Sequence, residues 1–376
     1  MRFLYVHIPF CVEKCNYCDF VSGKASPEER EAYLPLLLKE ADFYREEKPE
    51  GGLLTIFFGG GTPSLLTVNQ LEMLLKGFQE RFGFAEQMEI TLEANPETVS
   101  RRYLKQLRRL GINRISFGAQ AFQDHHLRAM GRIHNSQDIE NAVKAAESVG
   151  FDNINIDLMY GLPRQTMAEW KVSLEKATAL PVTHISTYGL KLSDRTLWGK
   201  WVQEGRLELP GEDLNADMQL YAMEYLEKAG FPRYEISNFA KIGYPCRHNT
   251  AYWIRKDYLG LGLNASSLFN GKVRARNEST LAAYKEKLDN GMLPWAEREV
   301  LTEQEIMEEE IILPLRLIWG LDVNAFAQKY GSDYFAQKKG QMVKLFDAGL
   351  LTVEEGQLKL TEKGVLLNNE VLSTLI

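Results

Sequence analysis

The 376-residue chain is 45% hydrophobic, 25% charged and 11% aromatic, which excludes a disordered, collagenous or repeat-built protein and leaves two or three globular units, or one large barrel with an appendage. No window approaches roughly 18 uninterrupted apolar residues, and the N-terminus runs straight into strand-like alternation without a leader pattern, so a cytoplasmic protein is predicted. The net charge of −7 sits almost wholly in residues 299–376, where 13 acids face 7 bases, while residues 1–298 are near balance at 38 to 37; neither part offers the basic surface that a nucleic-acid partner needs.

In chain order, apolar β-rich runs at 3–8, 54–58, 89–92, 114–117, 153–158 and 184–188 alternate with amphipathic segments near 28–47, 67–82, 100–110, 137–149 and 167–179. Parallel strands need long crossovers, usually helical, so strict alternation predicts an α/β fold: a partial (β/α)6 barrel of the TIM type. The strands end in residues that do not suit an apolar core: a cysteine loop after Ile8, Gly59-Gly60-Gly61-Thr62-Pro63 after Phe58, then Glu93, Gln120 and Asp157. In such barrels these ends meet over one mouth, where active sites collect. Beyond Tyr188 the pattern loosens into a bridging region with a helix over 213–228 and a Gly-rich stretch at 258–269, expected to complete one side of the barrel. Helices at 302–317, 322–329 and 334–348, then a hairpin over 349–361 around a Glu-Gly turn, predict a small C-terminal winged-helix-like lobe. With net charge −6, that lobe reads as a packing or partner surface. The expected division is a core barrel over 1–235, a bridge over 236–298 and the lobe over 299–376.

Only four cysteines occur, and Cys11, Cys15 and Cys18 share one loop with C-x3-C-x2-C spacing, while Cys246 lies far away. In a reducing compartment such a cluster reads as metal-binding. Three thiolates on a cubane leave one iron for a small-molecule chelate; a zinc site completed by Cys246 or a histidine is the alternative.

With Tyr5-Val6-His7-Ile8-Pro9-Phe10-Cys11, Gly59 to Ser64, Asn155 to Pro163, and Glu93, Gln120 and Arg132, the chain resembles the oxygen-independent coproporphyrinogen III oxidase family of the radical S-adenosylmethionine superfamily, over most of its length. The resemblance implies a [4Fe–4S] cluster on the three cysteines, S-adenosylmethionine on the open iron, reductive cleavage to a 5′-deoxyadenosyl radical, and an electron donor of the flavodoxin or ferredoxin type. It implies cofactor contacts from Tyr5, Tyr17, Gly60, Gly61, Thr62, Glu93, Gln120, Arg132 and Asp157. Glycines admit close backbone approach, Arg132 offers a planar fork to the carboxylate, and Asp157 suits ribose hydroxyls. Taken alone, the glycine triplet reads equally as a tight strand–helix turn, and no Gly-Lys-Ser/Thr follows it as in a phosphate-binding loop.

The oxidase pattern continues with a further cysteine two positions after the third, where this chain has Phe20, and it carries an N-terminal extension for which a first strand at residue 3 leaves no room. In both respects the chain is similar to the HemW-type haem chaperones. So is the stretch Cys246-Arg247-His248-Asn249-Thr250-Ala251-Tyr252-Trp253, which resembles their H-N-x-x-Y-W haem-associated motif. That implies haem held by His248, with Cys246 as second candidate ligand and Asn249, Tyr252 and Trp253 around the porphyrin, and delivery to membrane haemoproteins. The plainer alternative makes His248 and Asn249 partners of buried backbone and the two aromatics core residues. His7, His125, His126, His134 and His184 read as structural or surface histidines, with a hydrogen bond to the cluster as the alternative for His7. Three activities are thus expected in turn: a haem chaperone, a coproporphyrinogen III oxidase forming protoporphyrinogen IX by oxidative decarboxylation, or radical chemistry on another substrate. Dimerisation through the cluster loop or the acidic lobe is compatible with each.

Overall fold

In the segment Arg114–Gln120 every second side chain is polar or missing: Arg114, Ser116, Gly118 and Gln120 alternate with Ile115, Phe117 and Ala119. Successive strand residues point to opposite faces, so one face of each strand is apolar and the other polar. The computed structural model, which describes residues 1–331 and 333–376, builds a barrel from this alternation.

The barrel consists of β1 (Phe3–Ile8), α1 (Pro27–Asp42), β2 (Leu53–Gly60), α2 (Val68–Phe82), β3 (Phe84–Ala94), α3 (Arg101–Arg109), β4 (Arg114–Gln120), α4 (Asp124–Met130), α5 (Ser136–Ser148), β5 (Asn153–Tyr160), α6 (Met167–Ala179) and β6 (His184–Gly189). All six strands are parallel, from Val6↔Phe58 through Phe58↔Leu92, Leu92↔Ile115 and Ile115↔Ile154 to Ile156↔Ile185. These residues are buried against the helical layer. The barrel stays open, because β6 pairs onward with β7 (Asn238–Ala240) after α7 (Leu197–Gln203) and α8 (Glu212–Lys228).

Two expectations change here. The first helix stops at Asp42, and residues 45–47 form a separate 3-10 turn. The Gly-rich stretch does not complete the barrel. After α9 (Arg247–Trp253), β8 (Tyr258–Leu261) lies parallel to β1 on its free edge, and β9 (Ser266–Phe269), β10 (Val273–Asn277) and, after α10 (Leu281–Asp289), β11 (Trp295–Val300) continue outward as an antiparallel meander. The result is one sheet of eleven strands.

The C-terminal part contains α11 (Glu303–Ile312), β12 (Leu321–Asp322), α12 (Val323–Tyr330), α13 (Asp333–Gln337), α14 (Lys339–Asp347), the expected hairpin β13 (Leu351–Glu354) and β14 (Gln357–Leu360), then α15 (Glu362–Leu366) and α16 (Asn368–Leu375). β12 pairs with β14, which makes the hairpin a three-stranded wing. No helix among the described residues is long and apolar enough to cross a membrane.

Candidate active site and its neighbouring cavity

The inward faces of the strands are polar and enclose a cavity of about 500 Å³ at their carboxyl ends. Buried polar groups are costly without partners, and a network around Asn155 is mutually satisfied. Asn155 Nδ2 donates to Ser116 Oγ (2.6 Å) and Asp157 Oδ1 (2.9 Å), Ser116 Oγ donates to Asp157 Oδ2 (3.3 Å), and His184 bridges Asn155 Oδ1 (2.6 Å) and the Tyr234 hydroxyl (2.8 Å).

Cys11, Cys15 and Cys18 are free, half-buried thiols on the cavity wall. Their loop is pinned at its base by Cys11 N–H to Gly23 O and Gly23 N–H to Pro9 O, both 2.9 Å, and at its far side by Asn16, whose N–H reaches Met130 O and whose carbonyl accepts Trp198 N–H. The β2 turn is moulded to that loop. Gly61 N–H donates to Ile8 O (2.8 Å) and Thr62 N–H to Phe10 O (2.7 Å), while Thr62 Oγ1 lies 3.7 Å from Cys11 Sγ. A Cβ on Gly61 would fall 2.6 Å from Phe10 O, and one on Gly60, whose φ is +112°, 2.5 Å from the His7 ring. The glycines are therefore needed for the packing of the cysteine loop, a reason that precedes any cofactor.

All nine residues expected to contact the cofactor line this cavity together with the three cysteines. Glu93 accepts Gly60 N–H (3.2 Å), and burial, then Asp157, pushes its carboxyl up to about 7. Asp157 is also raised, chiefly by burial, against the hydrogen bonds that hold it. Arg132 donates to Asn95 Oδ1 (2.8 Å), with Tyr17 beside it, yet its Nε is buried with no partner. Gln120 adopts a left-handed φ of +68° after a register shift in β4, an unusual conformation for a side-chain-bearing residue. A Cβ on Gly118 would lie 2.9 Å from Gln120 Nε2 and 3.0 Å from Arg132 Nη2, so this glycine makes room for both tips. Tyr17 packs its ring against Trp198 at 6.0 Å.

Four positions at the candidate site escaped the sequence reading: Asn95, which accepts from Arg132 and donates to Thr62 Oγ1 (3.3 Å); Gly118; the buried Arg114 on the cavity wall; and Glu89. For Arg114 and Glu89 the available signal was a charge on an otherwise apolar strand; Asn95, just past β3, and Gly118 offered none. Glu89 accepts the N–H groups of Arg247 and His248, both 3.1 Å, and so places a carboxylate at the amino end of α9.

Helix α9 brings His248, Asn249 and Tyr252 to the cavity but not Cys246 or Trp253. Cys246 is fully buried, 3.7 Å from Glu89 Oε1, and burial pushes its thiol up to about 12; it does not reach the cavity as the second candidate ligand must. His248 is 1% exposed, with Nδ1 on Thr55 Oγ1 (2.7 Å) and Nε2 on the Tyr252 hydroxyl (2.8 Å), and burial, then Arg114, lowers its pKa to about 3, so the ring is neutral. Trp253 faces a second cavity of about 590 Å³, which shares Tyr5, Asp19, Phe20 and Tyr252 with the first. Phe20, where the oxidase pattern has a cysteine, is 68% exposed between them.

The remaining histidines divide as follows. His7 is structural, as its main reading had it: its nitrogens meet the Tyr5 hydroxyl (3.0 Å) and Val21 O (2.8 Å), and the alternative contact with the cysteines is not made. His134 pairs with Glu97 (2.9 Å), a structural role shared with His184. Exposed His125 and buried His126 lie on α4 beside Glu169, away from both cavities.

Residues 5–177 match the model of the Radical SAM superfamily, and residues 301–367 that of the HemN C-terminal domain. The chain is 35% identical to a protein named heme chaperone HemW from Bacillus subtilis, covering 100% of this chain and 99% of that one. It is 38% identical to the protein of the same name from Escherichia coli, over 77% of this chain and 75% of that one. Among solved structures, coproporphyrinogen III oxidase (HemN) from Escherichia coli, described as a radical SAM enzyme, superposes with a TM-score of 0.87 at 25% identity, over 99% of this chain and 89% of that one.

Proposed function

The chain belongs to the HemW family of radical S-adenosylmethionine proteins, and from that premise we propose that it is a cytoplasmic haem carrier. It holds a [4Fe–4S] cluster on Cys11, Cys15 and Cys18, binds S-adenosylmethionine along the strand ends, and takes up haem for transfer to acceptor haemoproteins at the membrane. The observation that carries this reading is the convergence of three free thiols, the Gly60–Thr62 turn, Glu93, Arg132 and His248 on one cavity. The donor set fits three-point attachment, because Cys246 is sealed behind Glu89 and brings no fourth thiol.

When bound, such a cluster supplies an electron and an iron open to the amino-acid end of S-adenosylmethionine. The protein's own residues orient that end. Arg132, with an unpartnered buried Nε, presents its fork to a carboxylate; Glu93, aimed by Gly60 N–H, takes the ammonium; Asp157, fixed by Asn155 and Ser116, accepts ribose hydroxyls. The neutral His248 ring is the ligating form of imidazole, and its Nε2 would have to exchange the Tyr252 hydroxyl for the iron. Residues 1–235, 236–298 and 299–376 then act as cluster-bearing barrel, haem-facing bridge and partner lobe.

Anaerobic reconstitution with iron and sulfide tests this. The wild type is expected to gain cluster absorbance and Cys15→Ser to lose it; the wild type is expected to bind haemin, with His248→Ala altering the Soret spectrum. Supplied with S-adenosylmethionine, a reductant and coproporphyrinogen III, it is expected to form no protoporphyrinogen IX. Turnover there would replace the carrier reading by the oxidase, the second reading that the shared fold supports.

A further inference from the structure

The α9 motif faces two cavities, and the chemistry of the second is unassigned. Its wall carries the rings of Tyr252, Trp253 and Tyr258, with Tyr252 and Tyr258 edge to face at 4.6 Å, beside the arginines Arg255 and Arg274. Both arginines point at one acid. Arg255 Nε donates to Glu309 Oε2 (2.8 Å) and Arg274 Nη2 to Glu309 Oε1 (2.5 Å). Among the described residues the only other carboxylate on this wall is Asp19, which is paired with Arg195 at 2.9 Å.

Two donors here are unmade. The Arg255 side chain is 8% exposed, and its Nη2, like Trp253 Nε1, is buried without a hydrogen-bond partner. A buried unpaired donor is costly, and five guanidinium N–H groups on one carboxylate leave capacity for a second anion. Aromatic walls beside a cationic floor, in a volume suited to a sizeable small molecule, select a flat apolar body that carries carboxylates.

We infer that Arg255 and Arg274 receive the carboxylates of the carried haem, and that Glu309 occupies their inner edge as a built-in competitor. This rests on the haem-carrier reading. It extends the binding surface beyond the six-residue motif, to a residue two places after Trp253 and to another on β10.

The test compares haemin with haemin dimethyl ester, which keeps the ring and iron but lacks the charges, by Soret titration of the reconstituted full-length protein. The wild type is expected to bind the ester about tenfold to a hundredfold more weakly, the scale of a charge-assisted contact. Arg255→Gln is expected to weaken haemin by a similar factor and to leave the ester unchanged, and Glu309→Gln to tighten haemin. Equal wild-type affinity for haemin and ester overturns the inference while the carrier reading stands, and it needs no variant to fold. If the wild type binds no haemin at all, the carrier reading itself falls.

Discussion

Glu93 shows what burial does to a carboxylate proposed to bind a ligand. Its pKa of about 7 arises first from burial and then from Asp157, and the single Gly60 N–H does not offset them. Between about 4.5, the ordinary glutamate value, and 7, the folded protein holds a proton that the unfolded chain has released, so this residue's contribution to stability falls as pH rises through that window. Ligand affinity runs the other way. The ammonium of S-adenosylmethionine needs the ionised form, so affinity is expected to rise by up to tenfold per pH unit below pH 7 and to level off above it. Calorimetric titration between pH 6 and 8 checks this, and Glu93→Gln should bind more weakly with a flat profile; a wild-type profile equally flat would remove the carboxylate from the ammonium site. Arg132, in the loop after α4, was named only through the family resemblance, whereas Glu93, Gln120 and Asp157 were legible because polar residues stand out at the ends of apolar runs. Gly118 was not, since a glycine in a strand says nothing of the two distant tips, Gln120 and Arg132, that meet over it.

Among the elements, the six barrel strands were legible because each has an apolar face, and the helices between them because they are amphipathic. β11 was not, for it is exposed along nearly its whole length and alternates Glu297, Arg298 and Glu299, leaving no apolar face to read. Such charge on an edge strand guards it against pairing with another chain. Nor was α4 legible, as seven residues are too short to show a period. The attachment of the β8–β11 extension depends on one residue of α1. Glu40 is fully buried and accepts Gly262 N–H (2.8 Å), Asn277 Nδ2 (2.6 Å) and the Tyr284 hydroxyl, which ties the β8–β9 turn, the end of β10 and α10 to the barrel. Glu40→Ala strands three buried donors and is expected to destabilise the protein by about 3 kcal/mol or more in urea unfolding, with Glu40→Gln recovering part of the loss. A loss below about 1 kcal/mol would mean that water or a shifted side chain takes over the three donors.

For the whole molecule, composition located the acid excess in residues 299–376 but not the direction in which each acid points. Glu309 turns inward to Arg255 and Arg274, Leu317 bridges to Glu235, Ile318 N–H donates to Tyr234 O (3.2 Å), and Arg316 lies over the Trp253 ring at 5.1 Å. One apolar cluster runs without a break from Leu4 in β1 to Leu375 in α16. Units joined by a shared core and by ties spread over several elements lose their contacts together, whereas units joined by a linker melt apart. A single calorimetric transition is therefore expected. Glu309→Gln, which should tighten haemin binding, removes a buried charge from the joint and is expected to lower that transition by about 2–4 °C while keeping it single. Two resolved transitions in the wild type would mean that the lobe has a core of its own.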